Sequence, residues 1–151
     1  MSDVRPHRSY LATIYGCYCP RCREGKLFER PLSFRLRGIM KMNERCPVCG
    51  QITDIEVGFY YGTGYVSYFI GIFISLATLI TWWLIIGFSF HDNRFVYWVV
   101  CNSLFLASLQ PFLMRFSRSL WLSWFVPFDP DWKEHALPGH ERINREQMGN
   151  W

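Results

Sequence analysis

Two apolar runs occupy the middle of the chain, at 65–88 and 95–114, with a short polar break at 89–94 between them. No Asp, Glu, Lys, Arg or His occurs between Val57 and Phe90, and none between Arg94 and Arg115. Each run is about 20 residues or longer, enough to cross a hydrocarbon core as a helix rising about 1.5 Å per residue. A hairpin of two transmembrane helices is therefore the predicted centre of the molecule. Outside the runs the periods are shorter. Leu32, Phe34 and Leu36 alternate with Ser33, Arg35 and Arg37, the period-two signature of a strand. Gly38 marks a turn and 39–42 a return strand. Tyr10, Leu11, Ile14 and Tyr15 form a small apolar patch suited to a membrane surface or to the neighbouring domain. Leu120, Trp121, Trp124, Phe125 and Phe128, with Arg115 and Arg118 beside them, suit an amphipathic segment lying in the lipid interface.

Inside the first span, Ser67, Gly71, Ser75 and Thr78 recur at helical intervals, a seam of small residues that lets a second helix approach. Ser103 and Ala107 are the matching small positions expected on the second span. Asn102 and Gln110 read as interhelical hydrogen-bonding groups, Cys101 as a packing residue, and Pro111 as a kink or an end. Neither span holds an ionisable carboxylate, amine or imidazole, which argues against a pump or carrier acting alone. The stretch 57–64 combines glycines with tyrosines, residues of the headgroup level, and reads as a junction that orients whatever precedes it.

Composition sharpens this picture. Half of the 151 residues are hydrophobic and 19% are aromatic, and they crowd the centre while charge collects at the ends. The formal net charge is a modest +4, but residues 1–56 hold Arg5, Arg8, Arg21, Arg23, Lys26, Arg30, Arg35, Arg37, Lys41 and Arg45. Arg115 and Arg118 follow the second span, whereas the loop has only Arg94, offset by Asp92. The positive-inside rule then puts both termini in the cytoplasm and the 89–94 loop outside. The residues up to Tyr15 lack the apolar core of a signal peptide, so the first span is expected to act as an uncleaved anchor.

The candidate chemistry lies in the cysteines. Cys19-Pro20-Arg21-Cys22 and Cys46-Pro47-Val48-Cys49-Gly50 are two Cys-x-x-Cys pairs at the spacing of a four-cysteine zinc ribbon. In such a turn two thiolates meet one ion and backbone N–H groups point at the sulfurs. Proline sets the approach, and Gly50 supplies a conformation costly to other residues; Gly25 lies farther along after the first pair. Cys19, Cys22, Cys46 and Cys49 thus form a closed tetrahedral set of structural type. Iron in a rubredoxin-like site is the alternative to zinc, since ligand softness alone does not separate the two. The basic character of the domain and the lack of a second redox centre favour zinc. Cys17 reads as a spare thiol, with a substitute-ligand role as the other option. A ribbon this small buries little core, so the ion is expected to supply most of its folding energy. Arg35 and Arg37 suit anionic lipid headgroups better than nucleic acid, because no aromatic stacking motif accompanies them. His7, His91, His135 and His140 have no evident ligand or catalytic partner.

The chain therefore divides into a lead at 1–16, a zinc-ribbon domain at 17–56, the junction 57–64, spans at 65–88 and 95–114 about the extracytoplasmic loop 89–94, an interfacial segment at 115–128 and a polar cytoplasmic tail at 129–151. The fold class is a membrane α-helical hairpin of two transmembrane helices with an N-terminal four-cysteine, zinc-ribbon-like β domain.

Several of these motifs occur together in one known group. Cys19-Pro-Arg-Cys22 with Glu24-Gly25-Lys26-Leu27-Phe28, the Cys46-Pro-Val-Cys49-Gly50 turn, Glu56-Val-Gly58-Phe59-Tyr60-Tyr61-Gly62, Tyr65-Val66-Ser67-Tyr68 and Arg115-Phe-Ser117-Arg118-Ser119-Leu120-Trp121 resemble the bacterial membrane family numbered 983 among the domains of unknown function, in its Bacteroidetes-like form. The resemblance implies the four cysteines as metal ligands and an accessory role in respiratory complexes, near haem–copper oxidase assembly.

The residues favour a non-enzymatic accessory subunit or assembly factor of a larger membrane complex. Its expected partners are membrane lipid and other membrane subunits or further copies of itself, because two helices cover each other on one side only. The alternative is an iron electron-transfer or thiol metal-handling protein. No nucleophile–base pair, phosphate loop or carboxylate dyad is present to support an enzyme, and no small-molecule substrate is indicated.

Overall fold

The computed structural model describes residues 8–32, 38–56, 58–87 and 92–137. The short helix α1 spans Tyr10–Tyr15, started by Ser9, whose hydroxyl accepts from the Ala12 N–H. A 3-10 turn at Phe59–Tyr61 leads into α2, Gly62–Ile86, and α3 runs Arg94–Phe125. Arg94 opens α3 and donates back to the last carbonyl of α2, Ile86 O, at 2.9 Å. His7, His91 and His140 and the expected strand 32–36 lie wholly or largely outside the described residues.

Both long helices are long and apolar enough to cross a membrane. Their most apolar stretches are almost entirely unburied, with Phe73 68% and Leu84 76% exposed. A core helix of a water-soluble body would bury such side chains; rows of exposed Phe, Leu and Ile suit lipid. At 32 residues α3 is about 48 Å long, about 18 Å more than a hydrocarbon core needs.

That excess carries the rest of the fold. Segment 115–128 is not a separate element: α3 continues past Pro111 to Phe125, with Leu113, Arg115, Ser117, Ser119 and Leu122 buried. The proline leaves the Ala107 carbonyl without its N–H partner, at a cost of about 3 kcal/mol, yet does not end the helix. Packing beyond it supplies the compensation: Leu122 and Val126 share one core with Cys19, Cys22, Leu27, Phe28 and Cys46. The only core of the described residues therefore sits at one end of the hairpin, where the cysteine head is built onto α3.

The helices are joined by polar contacts. Thr78 donates to Asn102 Oδ1 at 2.9 Å, Asn102 Nδ2 donates to Ser75 at 3.2 Å, and Ser67 donates to Ser117 at 2.8 Å. Asn102 is thus interhelical glue, as its position suggested. Ser103 and Ala107 are not the partners of the small seam; both are exposed, and Ser103 bonds back to Val99 O within its own helix. The reason is register: the face of α3 toward α2 passes through Asn102 and Ser117.

The expected β domain is not reproduced. Among the described residues the head has no strands, only three isolated antiparallel bridges: Tyr18 with Lys26, Phe28 with Met42, and Arg45 with Ile52. The expected return strand at 39–42 begins in a turn and joins Phe28 at Met42 alone. A side chain from α3 takes the backbone group that a ladder would use: Ile39 O accepts from Arg115 Nε at 2.9 Å and Nη2 at 2.6 Å.

Candidate metal centre

Each Cys-x-x-Cys segment forms the same turn. In the first, the Arg23 N–H reaches Cys19 O at 2.8 Å and the Cys19 N–H reaches Gly25 O at 2.7 Å. In the second, the Gly50 N–H reaches Cys46 O at 2.9 Å and the Cys46 N–H reaches Gln51 O at 2.8 Å. Bridges 18–26 and 45–52 close the two loops from outside. The residue after each second cysteine has positive φ: +72° at Gly50 and +58° at Arg23. Glycine takes that conformation freely, whereas arginine needs support. Arg23 has it: its guanidinium lies 3.8 Å over the Phe128 ring and donates to Arg8 O at 2.8 Å.

Gly25 has a different reason from the one its place in the sequence suggested. A Cβ there would overlap the Cys46 sulfur of the opposite turn. The glycine is what lets the two turns close face to face.

The result is a compact cluster. Cys19 and Cys49 Sγ are 3.7 Å apart, as are Cys22 and Cys46 Sγ, and all four sulfurs lie within 4.8 Å of one another. A tetrahedron with metal–sulfur bonds of about 2.3 Å has edges of about 3.8 Å, which the two 3.7 Å pairs match, so the four sulfurs are close enough to hold one ion. Backbone N–H groups of Cys22, Gly25, Cys49 and Gln51 point at the sulfurs of Cys19, Cys22, Cys46 and Cys49 in turn. Hydrogen bonds inside the cluster, that from Cys19 foremost, push Cys22 down to about 6 and Cys46 lower still. Cys19 is held up chiefly through its bond with Cys22. At Cys49 the bond with Cys19 lowers, those with Cys22 and Cys46 raise, and the balance is upward.

Cys17 stands outside the cluster. Burial pushes its thiol up to about 11 against the pull of Arg115, so it stays protonated at neutral pH. It packs against the core as a spare thiol. Cys101 is exposed on α3.

Sequence reasoning missed what surrounds the centre. Arg21, in the first turn, is 4% exposed, and its Nη2 donates to Asp129 Oδ2 at 3.3 Å, His135 O at 2.9 Å and Ala136 O at 3.3 Å. The Asp129 N–H returns to Arg21 O at 3.1 Å, and His135 Nδ1 meets Asp129 Oδ1 at 2.9 Å. The described start of the polar tail is thus strapped over the first turn, and Leu137 reaches Gly50 in the second. His135 meets a carboxylate and lies outside the sulfur cluster. No local signal announces these contacts, which join opposite ends of the chain.

Arg115 is the other missed residue. Only 5% exposed, it gives N–H groups to Ile39 O and to Arg30 O, the latter at 2.6 Å, and lies 4.4 Å from the Phe28 ring centre. Phe28 belongs to the core that holds three of the four cysteines. Tyr60 completes the attachment by donating to Thr53 O at 2.6 Å, while Phe59 packs on Phe125 at 5.1 Å.

What this arrangement offers chemically is a closed four-sulfur site with no open coordination position. No protein-family model, curated protein or solved structure matches this chain.

Proposed function

We propose that the protein is a non-enzymatic integral membrane protein in which a structural zinc ion shapes a rigid head at the cytoplasmic face of a bacterial inner membrane. The observation that carries this reading is the four-sulfur cluster whose core is continuous with the extension of a membrane-capable helix. Cys19, Cys22, Cys46 and Cys49 would hold the ion, which supplies folding energy to a head that has only three isolated bridges among the described residues. The closed donor set supports a structural role, because catalytic zinc keeps a position for water or substrate. The basic N-terminal segment supports a cytoplasmic head.

The task that fits such a head is recognition: an accessory subunit or assembly factor of a larger membrane complex. The resemblance to family 983 of the domains of unknown function supports a respiratory complex of the haem–copper oxidase kind. Iron with an electron-transfer role is the second reading, favoured by a sulfur set with N–H donors at every thiolate.

Purification in mild detergent tests both. One zinc per chain, a colourless protein and co-purifying membrane subunits are the expected results. Iron–thiolate absorption in the visible would replace zinc by the second reading, and a strict monomer with no partner would overturn the accessory role.

A further inference from the structure

α2 and α3 do not close on each other along their whole length. One side holds an open groove of about 690 Å³ that runs from Leu79 and Trp98 to Thr63 and Arg118. Its wall is cut low by Gly64 and Gly71, where an added Cβ would meet nothing within 4 Å. Arg118 is the one charged side chain in the lining among the described residues, and it stands at the head end. It also walls a second cavity of about 770 Å³ with Lys41, Glu44 and Asp54. Its Nη1 donates to Met40 O at 3.2 Å. Lys41 is engaged by Glu29 at 2.9 Å. Glu44 and Asp54 make no ion pair among the described residues.

We propose that this groove binds one glycerophospholipid of the phosphatidylethanolamine class, with an acyl chain along Gly71, the phosphate at Arg118 and the ammonium toward Asp54 and Glu44. The reading rests on the membrane placement proposed above, and not on the identity of the metal. Charge complementarity selects the headgroup. A guanidinium is a preferred phosphate partner, and basic pockets between transmembrane helices hold lipid headgroups. With Lys41 engaged by Glu29, Arg118 is left to balance both Asp54, on which it already acts electrostatically, and Glu44, a local excess of negative charge that disfavours a headgroup that is only anionic and suits one that adds a positive charge. A primary ammonium can donate hydrogen bonds to carboxylates; a quaternary one has no N–H to give. Gln110, also in the lining, has no hydrogen-bond partner among the described residues, and a lipid ester oxygen would supply an acceptor.

The test uses the full chain in nanodiscs of equal phosphatidylethanolamine, phosphatidylglycerol and phosphatidylcholine, released into native mass spectrometry. One phosphatidylethanolamine retained per chain is expected. Gly71→Leu, which fills open space, should abolish retention, and Asp54→Asn should lower the preference over phosphatidylglycerol by about tenfold. Metal content per chain, measured alongside, reports that the head of each variant is intact. No retained lipid, equal retention of the three, or retention unchanged by both substitutions overturns the proposal. So does a dimer that Gly71→Leu disperses, since a second copy would then fill the groove. A chain that stays soluble without detergent or lipid removes the membrane reading as well; one that stays in the nanodisc, loads its metal and keeps no phosphatidylethanolamine removes this proposal alone.

Discussion

Gly25 and Gly50 support the cluster for different reasons, and substitution should separate them. Gly25→Ala places a methyl where the Cys46 sulfur stands, so the two turns cannot close; metal content should fall well below that of the native chain with all four cysteines present. Gly50→Ala meets only Leu137 at 3.3 Å but must adopt φ +72°, at a cost of about 1 kcal/mol. It should still load its ion, with a lower midpoint in chelator titration. The reverse outcome, with Gly50→Ala empty and Gly25→Ala loaded, would contradict this geometry. Arg23 shows that the left-handed position after a cysteine pair does not demand glycine when a ring and a carbonyl hold the side chain. The cysteine spacing was readable because a Cys-x-x-Cys turn is a local event, complete within its own few residues. The need for glycine at position 25 was not, because the atom it yields to belongs to Cys46 in the other turn.

α3 works as two helices in one. Its first part is exposed and apolar; its second is half-buried and carries Arg115 into the head. Arg115→Met keeps the length of the side chain but leaves the carbonyls of Ile39 and Arg30 without their donor and removes the cation from Phe28. A loss of about 2–4 kcal/mol is expected, read as metal release at lower denaturant in detergent, with the helical signal retained. Asn102→Leu acts elsewhere: it breaks the bonds to Thr78 and Ser75 and should weaken the contact of α2 with α3 by about 1 kcal/mol, leaving metal content unchanged. The existence and type of both long helices followed from their charge-free runs. The end of α3 did not, because Pro111 reads locally as a kink or an end, and Arg115 and Arg118 as part of a separate interfacial segment. The two arginines find their partners at Ile39, Arg30 and Met40, in a distant part of the chain.

Among the described residues the protein has one buried core, and it lies at the head end of the hairpin. Removing the ion with a strong chelator should unfold the head while α2 and α3 stay helical, since lipid-exposed helices satisfy their backbone groups internally. Far-UV circular dichroism should change little, whereas fluorescence of Trp132 and Trp121, one against the core and one against Phe59, should shift. Acid should do the same: protons compete with the ion for the thiolates, so metal is lost as pH falls and regained as it rises. Full loss of helical signal on chelation would show that the head and the hairpin fold as one unit.

Charge-free length and paired cysteines are properties of neighbouring residues. They alone determined that this chain has two membrane-capable helices and a four-sulfur set. Closure of that set, the burial of Arg115 and the tail strapped over Arg21 were decided only in three dimensions. Each depends on a partner distant along the chain. A buried guanidinium or a free carbonyl satisfies whichever group packing brings to it, and no periodicity in the sequence records that choice.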